Sequence, residues 1–187
     1  MSSANTPAFP TLSTSRLTLR EIQAGDAAAF AELLSYYIVT RFSDLPDAPS
    51  PDDCDTLLRG MADLFAAGRG CAWIVEESAT ATPIGAIRIN YILHNWKCGG
   101  IGYELQPSRW NCGLMTEALR AVVDCAHSHF ELNRLEAWTI AGNVASERVL
   151  AKAGFAYEGT QRQRGFFKGA FHDFRMFGRV RSDPPSG

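Results

Sequence analysis

The chain has 187 residues, 46% hydrophobic and 20% charged, which is enough for one well-packed core in the ordinary single-domain range. A formal net charge of −2 and an isoelectric point near 6.1 argue against a general nucleic-acid binder, and no apolar run is long enough to span a bilayer. Five widely spaced cysteines (Cys54, Cys71, Cys98, Cys112 and Cys125), odd in number and without a Cys-x-x-Cys pair, point to reduced thiols.

The start, Met1 to Pro10, is rich in Ser, Thr and Pro and carries no hydrophobic signal segment, so residues 1–10 are expected to be disordered and the protein cytoplasmic. Leu17 to Arg20 reads as a first short strand, and Asp26 as the N-cap of a helix to about Leu34. Cys54, Leu57, Leu58, Met61, Leu64 and Phe65 recur at helical spacing, and Gly68 ends that second helix. Ala72 to Glu76, a turn around Ala79 to Pro83, and a longer strand in which Ile87, Ile89 and Tyr91 alternate with Arg88 and Asn90 form a hairpin. Gly99 to Leu105 is the next strand, broken by Pro107 and Ser108. Leu114, Ala118, Ala121, Val122 and Cys125 then mark one face of an amphipathic helix. Arg134 to Ile140 is a strand leading through Asn143 into a short helix with a buried stripe of Ala145, Val149, Leu150 and Ala153, capped by Gly154. Strands around 159–166 and 171–177 complete a single domain over residues 11–180, and residues 181–187 read as a disordered tail. The class is α/β (α+β), a mixed sheet flanked by helices.

Two of these strand-to-helix crossings carry chemistry. Trp110 to Leu119 opens directly into a helix, and a helix start presents backbone N–H groups without intrahelical partners together with partial positive charge. Phosphate binds readily at such a place, although a turn packed without ligand has the same sequence. Asn143 to Ser146 repeats the arrangement at the end of the next strand.

At these residues the chain resembles the GNAT acyltransferase superfamily, within it the Rim-type branch of ribosomal-protein N-terminal acetyltransferases. The matching residues are Ile101-Gly102-Tyr103, Trp110, Gly113-Leu114-Met115-Thr116-Glu117-Ala118, Asn143 with Ser146, Gly154-Phe155, Glu158-Gly159 and Asp173, and the likeness covers Leu12 to Val180. It implies a GNAT fold, a mixed and mostly antiparallel central sheet splayed between strands four and five to admit pantetheine. It also implies acetyl-CoA as cosubstrate, no metal, and binding by Leu105, Trp110, Asn111, Cys112, Gly113, Leu114, Met115, Thr116, Asn143 and Ser146. Asn111 and Cys112 stand where this branch shows Gly followed by Lys or Gln. Asn tolerates left-handed backbone, so the turn is expected to form. Cys112 removes a side-chain contact to phosphate, but backbone donors do not depend on side-chain identity, and acetyl-CoA binding is expected to survive.

GNAT enzymes transfer acetyl directly from the thioester to a neutral amine. An α-amino group, with a pKa of about 7.7–8.0, needs less help from a base than a lysine near ~10.4. Glu104 is the first candidate base, directly or through water, with a surface or ion-paired carboxylate as the alternative, and Glu136 is a weaker candidate. Ser146 is the candidate donor to the leaving sulfur, with a helix-capping role as the alternative, and Asn143 orders pantetheine or caps the same helix. A backbone N–H near Leu105 is the candidate for stabilising the tetrahedral intermediate. Many members place a tyrosine one turn after Ser146, where this chain has Leu150, and Gly165 stands where some Rim-type enzymes are acidic.

The basic residues Arg162, Arg164, Lys168, Arg175, Arg179 and Arg181 are read as solvated charge, or as a surface for acidic substrate or CoA phosphates. Tyr36, Tyr37, Phe42, Trp96, Phe166, Phe167 and Phe171 either pack over the sheet or line an acceptor groove. His127 and His129, two apart on a helix, do not share a face, and metal ligation is not expected. The expected activity is acetyl transfer to a protein or peptide N-terminal amine. The alternatives are a small amine such as an amino sugar or aminoglycoside, or an acyl-CoA-binding module without catalysis. A monomer or homodimer, with no nucleic-acid or membrane partner, completes the expectation.

Overall fold

The computed structural model describes residues 8–184. Eight strands form one sheet in the order β1-β2-β3-β4-β5-β6-β8-β7. They are β1 (Leu12–Ser13), β2 (Leu17–Arg20), β3 (Cys71–Glu77), β4 (Thr82–Leu93), β5 (Cys98–Leu105), β6 (Arg134–Ile140), β7 (Ala156–Phe167) and β8 (Ala170–Val180). The helices are α1 (Asp26–Ser35), α2 (Tyr37–Thr40), α3 (Pro51–Ala66), α4 (Leu114–Ser128) and α5 (Val144–Lys152). Because the two-residue β1 precedes the first strand legible in the sequence, the family's strands four and five are β5 and β6 here.

Each face of the sheet is covered. Leu114, Met115, Ala118, Leu119 and Val122 of α4 and Leu150 of α5 pack with Ile87, Ile101, Leu105 and Ala137 on one face. Phe30, Leu33 and Leu34 of α1 and Cys54 and Leu58 of α3 pack with Ile74 and Ala86 on the other. Central strands covered on both sides lose the solvent-facing half of their alternation, which is why β4 is buried continuously from Ile84 to Ile89. Arg88 is therefore not on a wet face, as its alternation with Ile87 and Ile89 suggests, but only 8% exposed.

Local corrections have local causes. Gly25, not Asp26, is the N-cap of α1, and the Asp26 carboxylate instead accepts from the Gln23 N–H and the Arg20 guanidinium. Helix α3 starts at Pro51 because Ser50 and Asp53 form a capping box. Ala145, read as buried, is exposed at the open start of α5. At the start of the chain, Phe9 packs edge-on to Phe65, 5.1 Å between centroids, and the Pro10 carbonyl accepts from the Trp73 indole at 2.7 Å. The expectations for residues 1–7 and 185–187 lie outside the described residues.

What positions the site is the β5–β6 junction. The two strands pair in parallel only from Cys98↔Arg134 to Gly100↔Glu136. Beyond that point β5 stays with β4 as far as Leu105, while β6 stays with β8 as far as Ile140. The strands diverge, and the peptide groups of Tyr103 and Leu105 are left without a β6 neighbour.

Candidate active site

A cavity of about 850 Å³ fills the gap between the diverging strands and reaches both faces of the sheet. On the α4 face it is lined by the loop from Trp110 to Thr116, on the other by the segment from Ile38 to Leu45. Leu105, Trp110, Asn111, Gly113, Leu114, Met115, Thr116, Asn143 and Ser146 all line it, whereas Cys112 does not.

The loop is built for backbone contact. Asn111 takes φ +61° and Gly113 φ +76°, so the chain turns left-handed twice before α4 begins. Asparagine is the non-glycine residue best suited to that geometry, and Asn111 keeps the turn expected of it. Gly113 is the N-cap of α4 and has no side-chain capping bond, leaving the first-turn N–H groups open toward the cavity. The Trp110 indole donates to the Leu105 carbonyl at 2.7 Å and ties the loop to the end of β5. The Cys112 thiol is exposed and donates to the Trp110 carbonyl at 3.3 Å.

A second brace comes from the segment before β2. Glu117, in the first turn of α4, accepts from the hydroxyls of Thr14 and Ser15 at 2.6 and 3.0 Å and from the Arg16 guanidinium at 2.7 Å, and Arg16 also donates to the Cys112 carbonyl at 3.0 Å. Burial alone pushes the Glu117 carboxyl up, but the bonds from Thr14, Arg16 and Ser15 outweigh it and hold the group down at about 2. A depressed carboxyl stabilises the fold above its unfolded pKa of about 4.3, and that contribution is lost as pH falls toward 2. Glu117→Gln is expected to cost about 2 kcal/mol at neutral pH, and urea unfolding should show the gap to wild type closing between about pH 4 and pH 2. An equal gap at both pH values would remove the ionic part of the argument.

Register fixes what β5 offers the cavity. Because the Gln106 N–H donates to the Ile84 carbonyl and bonding alternates along an antiparallel pair, Gly102 and Glu104 share the β4 ladder. The Tyr103 and Leu105 peptide groups therefore point into the gap, as the Trp110 bond to the Leu105 carbonyl requires.

On the face away from α4, Glu104 is 6% exposed and both of its carboxylate oxygens are held by the Arg88 guanidinium, one of them at 2.8 Å. Burial opposes the Arg88 charge, but the attraction and bonds of Glu104, with Asp44 adding to them, keep its pKa above the ordinary value. Gly102 makes room for the pair, since a Cβ there would lie 3.2 Å from Arg88 Nη2 and 2.8 Å from Asn90 Nδ2. Asp44 and Glu104 are the two carboxylates among the described residues lining the cavity. Asp44 and Arg88 escaped sequence reasoning, Asp44 because it lies in an irregular loop and Arg88 because its alternation reads as solvent-facing. Phe42 also lines the cavity and packs on Gly142, and Trp138 stacks on Phe174 at 4.1 Å.

At the start of α5, Asn143 is the N-cap and its Oδ1 accepts from the Ser146 N–H at 3.3 Å, the capping alternative, while both residues still line the cavity. The Tyr103 hydroxyl lies 2.8 Å from Ser146 Oγ.

Other candidates lie elsewhere. Glu136 is bound by Tyr91 and Arg134, away from the cavity. Gly165 packs against Phe174, where a Cβ would come within 2.4 Å of the ring, so an acidic side chain does not fit. Lys168 pairs with Asp47, Arg175 with Glu147, and Arg179 donates to the Ala153 carbonyl, so half of the basic C-terminal set braces the fold. Phe166 and Phe171 pair with each other on the surface, and Trp96 is 78% exposed. Among the described residues, no three His, Cys, Asp or Glu side chains gather as a metal site, and no helix is long and apolar enough to cross a membrane.

Comparison with known proteins places this geometry. The family model described as "Acetyltransferase (GNAT) domain" matches residues 16–156. The chain is 33% identical over 173 residues to the uncharacterized N-acetyltransferase YoaA of Bacillus subtilis (strain 168), spanning 92% of this chain and 98% of that protein. Among solved structures, Mycobacterium smegmatis RimJ in complex with CoA-disulfide superposes with a TM-score of 0.84 at 22% identity, over 92% of this chain and 88% of that one. RimL, a ribosomal L7/L12 alpha-N-protein acetyltransferase in complex with coenzyme A, superposes with a TM-score of 0.83 at 22% identity, over 91% and 98%.

Proposed function

The chain belongs to the GNAT acetyltransferase family, and from that premise we propose that it moves acetyl from acetyl-CoA directly to the N-terminal α-amine of a protein or peptide. The observation that carries this reading is a cavity that passes through the sheet, with an unoccluded helix start at one end and a carboxylate-bearing, aromatic chamber at the other. The CoA phosphates would meet the N–H groups of residues 113–116, where the α4 dipole favours negative charge. Pantetheine would follow the gap and bond to the outward-turned peptide groups of Tyr103 and Leu105. The Leu105 N–H then faces the developing oxyanion, and Ser146 donates to the leaving sulfur. The acceptor approaches from the face that carries Glu104, Asp44, Phe42 and Trp138. RimL, named for an alpha-N-protein substrate, supports a peptide end as acceptor.

Glu104 is engaged by Arg88 on both oxygens, so its service is to accept a proton through water and to favour a cation at the cavity wall. An α-amine needs no stronger base. The rate with a peptide acceptor should accordingly rise with pH and level off near the amine pKa of about 8, whereas a lysine acceptor would keep rising toward ~10.

The test is calorimetric titration with acetyl-CoA, followed by free-thiol release with peptide and small-molecule amines. Binding with peptide-dependent release supports the reading. Release with small amines alone moves the acceptor to that class, and binding without release under any acceptor points to an acyl-CoA-binding module.

A further inference from the structure

The cavity is lined by a pair of hydrogen-bonded hydroxyls. Tyr103 Oη lies 2.8 Å from Ser146 Oγ and 3.3 Å from the Ser146 carbonyl oxygen. Either hydroxyl can donate within the pair, but each carries a single proton, so when Ser146 gives its own to a third group the arrangement left between them is donation by the phenol to Ser146 Oγ. In that arrangement the Ser146 proton points away from Tyr103. Among the described residues, Ser146 Oγ bonds to Tyr103 alone, and Ser146 lines the cavity, so a group in the space between the strands can accept that proton. The Asn143 cap on the Ser146 N–H holds the turn in place.

We propose that Tyr103 is a positioning residue for acetyl transfer, its phenol orienting the Ser146 hydroxyl so that Ser146 donates to the departing CoA sulfur. This rests on the CoA placement proposed above. Leu150 stands one turn along α5 and has no hydroxyl, so the partner that orients Ser146 comes from the strand rather than from the same helix. Tyr103 enters from β5, the strand that turns alternate residues toward α4 and α5. Burial is the largest influence on its phenol and pushes it up, so Tyr103 keeps its proton and has it to give. Donation into Ser146 polarises the serine O–H, as in any hydrogen-bonded chain.

The step balances without a net charge on either hydroxyl. The amine lone pair forms the N–C bond, and the C–S bond breaks with its electron pair going to sulfur. The amine gives up its proton through water to Glu104, which returns it to solvent, and Ser146 stabilises the thiolate by a hydrogen bond without losing its own proton. The thiolate then takes a proton from solvent, leaving an amide and free CoA.

The readout is the ultraviolet thiolate absorbance of CoA bound to wild type, Tyr103→Phe, Ser146→Ala and the double variant, as a function of pH, alongside steady-state kinetics. The wild-type complex is expected to titrate below a free thiol near ~8.5, and each single variant to raise the midpoint by about one unit. Each should lower kcat about ten- to a hundredfold while KM for acetyl-CoA moves less than about twofold. The double variant should match Ser146→Ala, because Tyr103 acts only through Ser146. Tyr103→Phe with the wild-type midpoint, or a double variant with additive losses, overturns the inference. If Tyr103→Phe does not fold, a Ser146→Ala complex that titrates like wild type overturns it equally. Wild-type protein that fails to bind CoA overturns the CoA placement, whereas wild type that binds CoA with an ordinary thiol midpoint overturns only the role of the pair.

Discussion

Arg88→Met is expected to cost about 3–5 kcal/mol of folding stability and to remove acetyl transfer. The reason is not the loss of a salt bridge as such. Glu104 is 6% exposed and has Arg88 on both oxygens, so removing the guanidinium leaves a carboxylate in a chamber that gives it no other partner. Breaking one side of a buried pair is far costlier than removing both, because the remaining charge keeps its desolvation penalty. The variant relieves that penalty by taking up a proton, so its deficit should shrink as pH falls, as that of Glu117→Gln does, but because the variant gains stability rather than because wild type loses it. Adding Glu104→Gln to Arg88→Met should recover at least half of the lost stability while activity stays low, which separates the fold from the chemistry. Urea unfolding at two pH values checks both claims, and a single variant within about 1 kcal/mol of wild type would show that the pair is dispensable.

The parts of this fold that were legible in the sequence are those in which local pattern and burial agree. The strand Arg134–Ile140 has the limits its pattern gives, and α4 shows the buried face read from Leu114, Ala118, Val122 and Cys125. The turn before α4 was legible for a similar reason: left-handed backbone needs Gly or Asn, and Asn111 and Gly113 supply it. Arg88 was not legible, because alternation says which side of a strand a residue takes and not what covers that side. Here α1 and α3 cover it, and a residue that reads as solvated becomes the buried partner of Glu104. The Tyr103–Ser146 contact spans 43 positions and arises only where β5 and β6 part, a tertiary event with no local signal. The basic C-terminal residues show the converse, since composition reads them as solvated charge with an anion surface as the alternative, and the fold uses Lys168, Arg175 and Arg179 as braces.

Asn111→Val is expected to weaken acetyl-CoA binding about ten- to a hundredfold, while Asn111→Gly leaves it unchanged or tightens it. Both substitutions remove the same amide, so a side-chain contact to phosphate would be lost in each. They differ in backbone. At φ +61° glycine carries no penalty, whereas a β-branched residue costs about 1–2 kcal/mol or more and drives the turn out of the left-handed region. Since the N–H groups at the start of α4 are aimed by this turn and by Gly113, a shifted turn misdirects all of them together. Cys112→Lys completes the comparison. The Cys112 side chain is exposed and does not line the cavity, so a lysine there adds a flexible cation beside the phosphates, with a gain of a few-fold that disappears as salt is raised. Calorimetry on the three variants separates the contributions. Equal losses in Asn111→Gly and Asn111→Val would assign the binding to the amide side chain, and a loss confined to Asn111→Val assigns it to the backbone, which makes the departure from the family's Gly-Lys or Gly-Gln pair at positions 111 and 112 a change of side chain within a preserved turn.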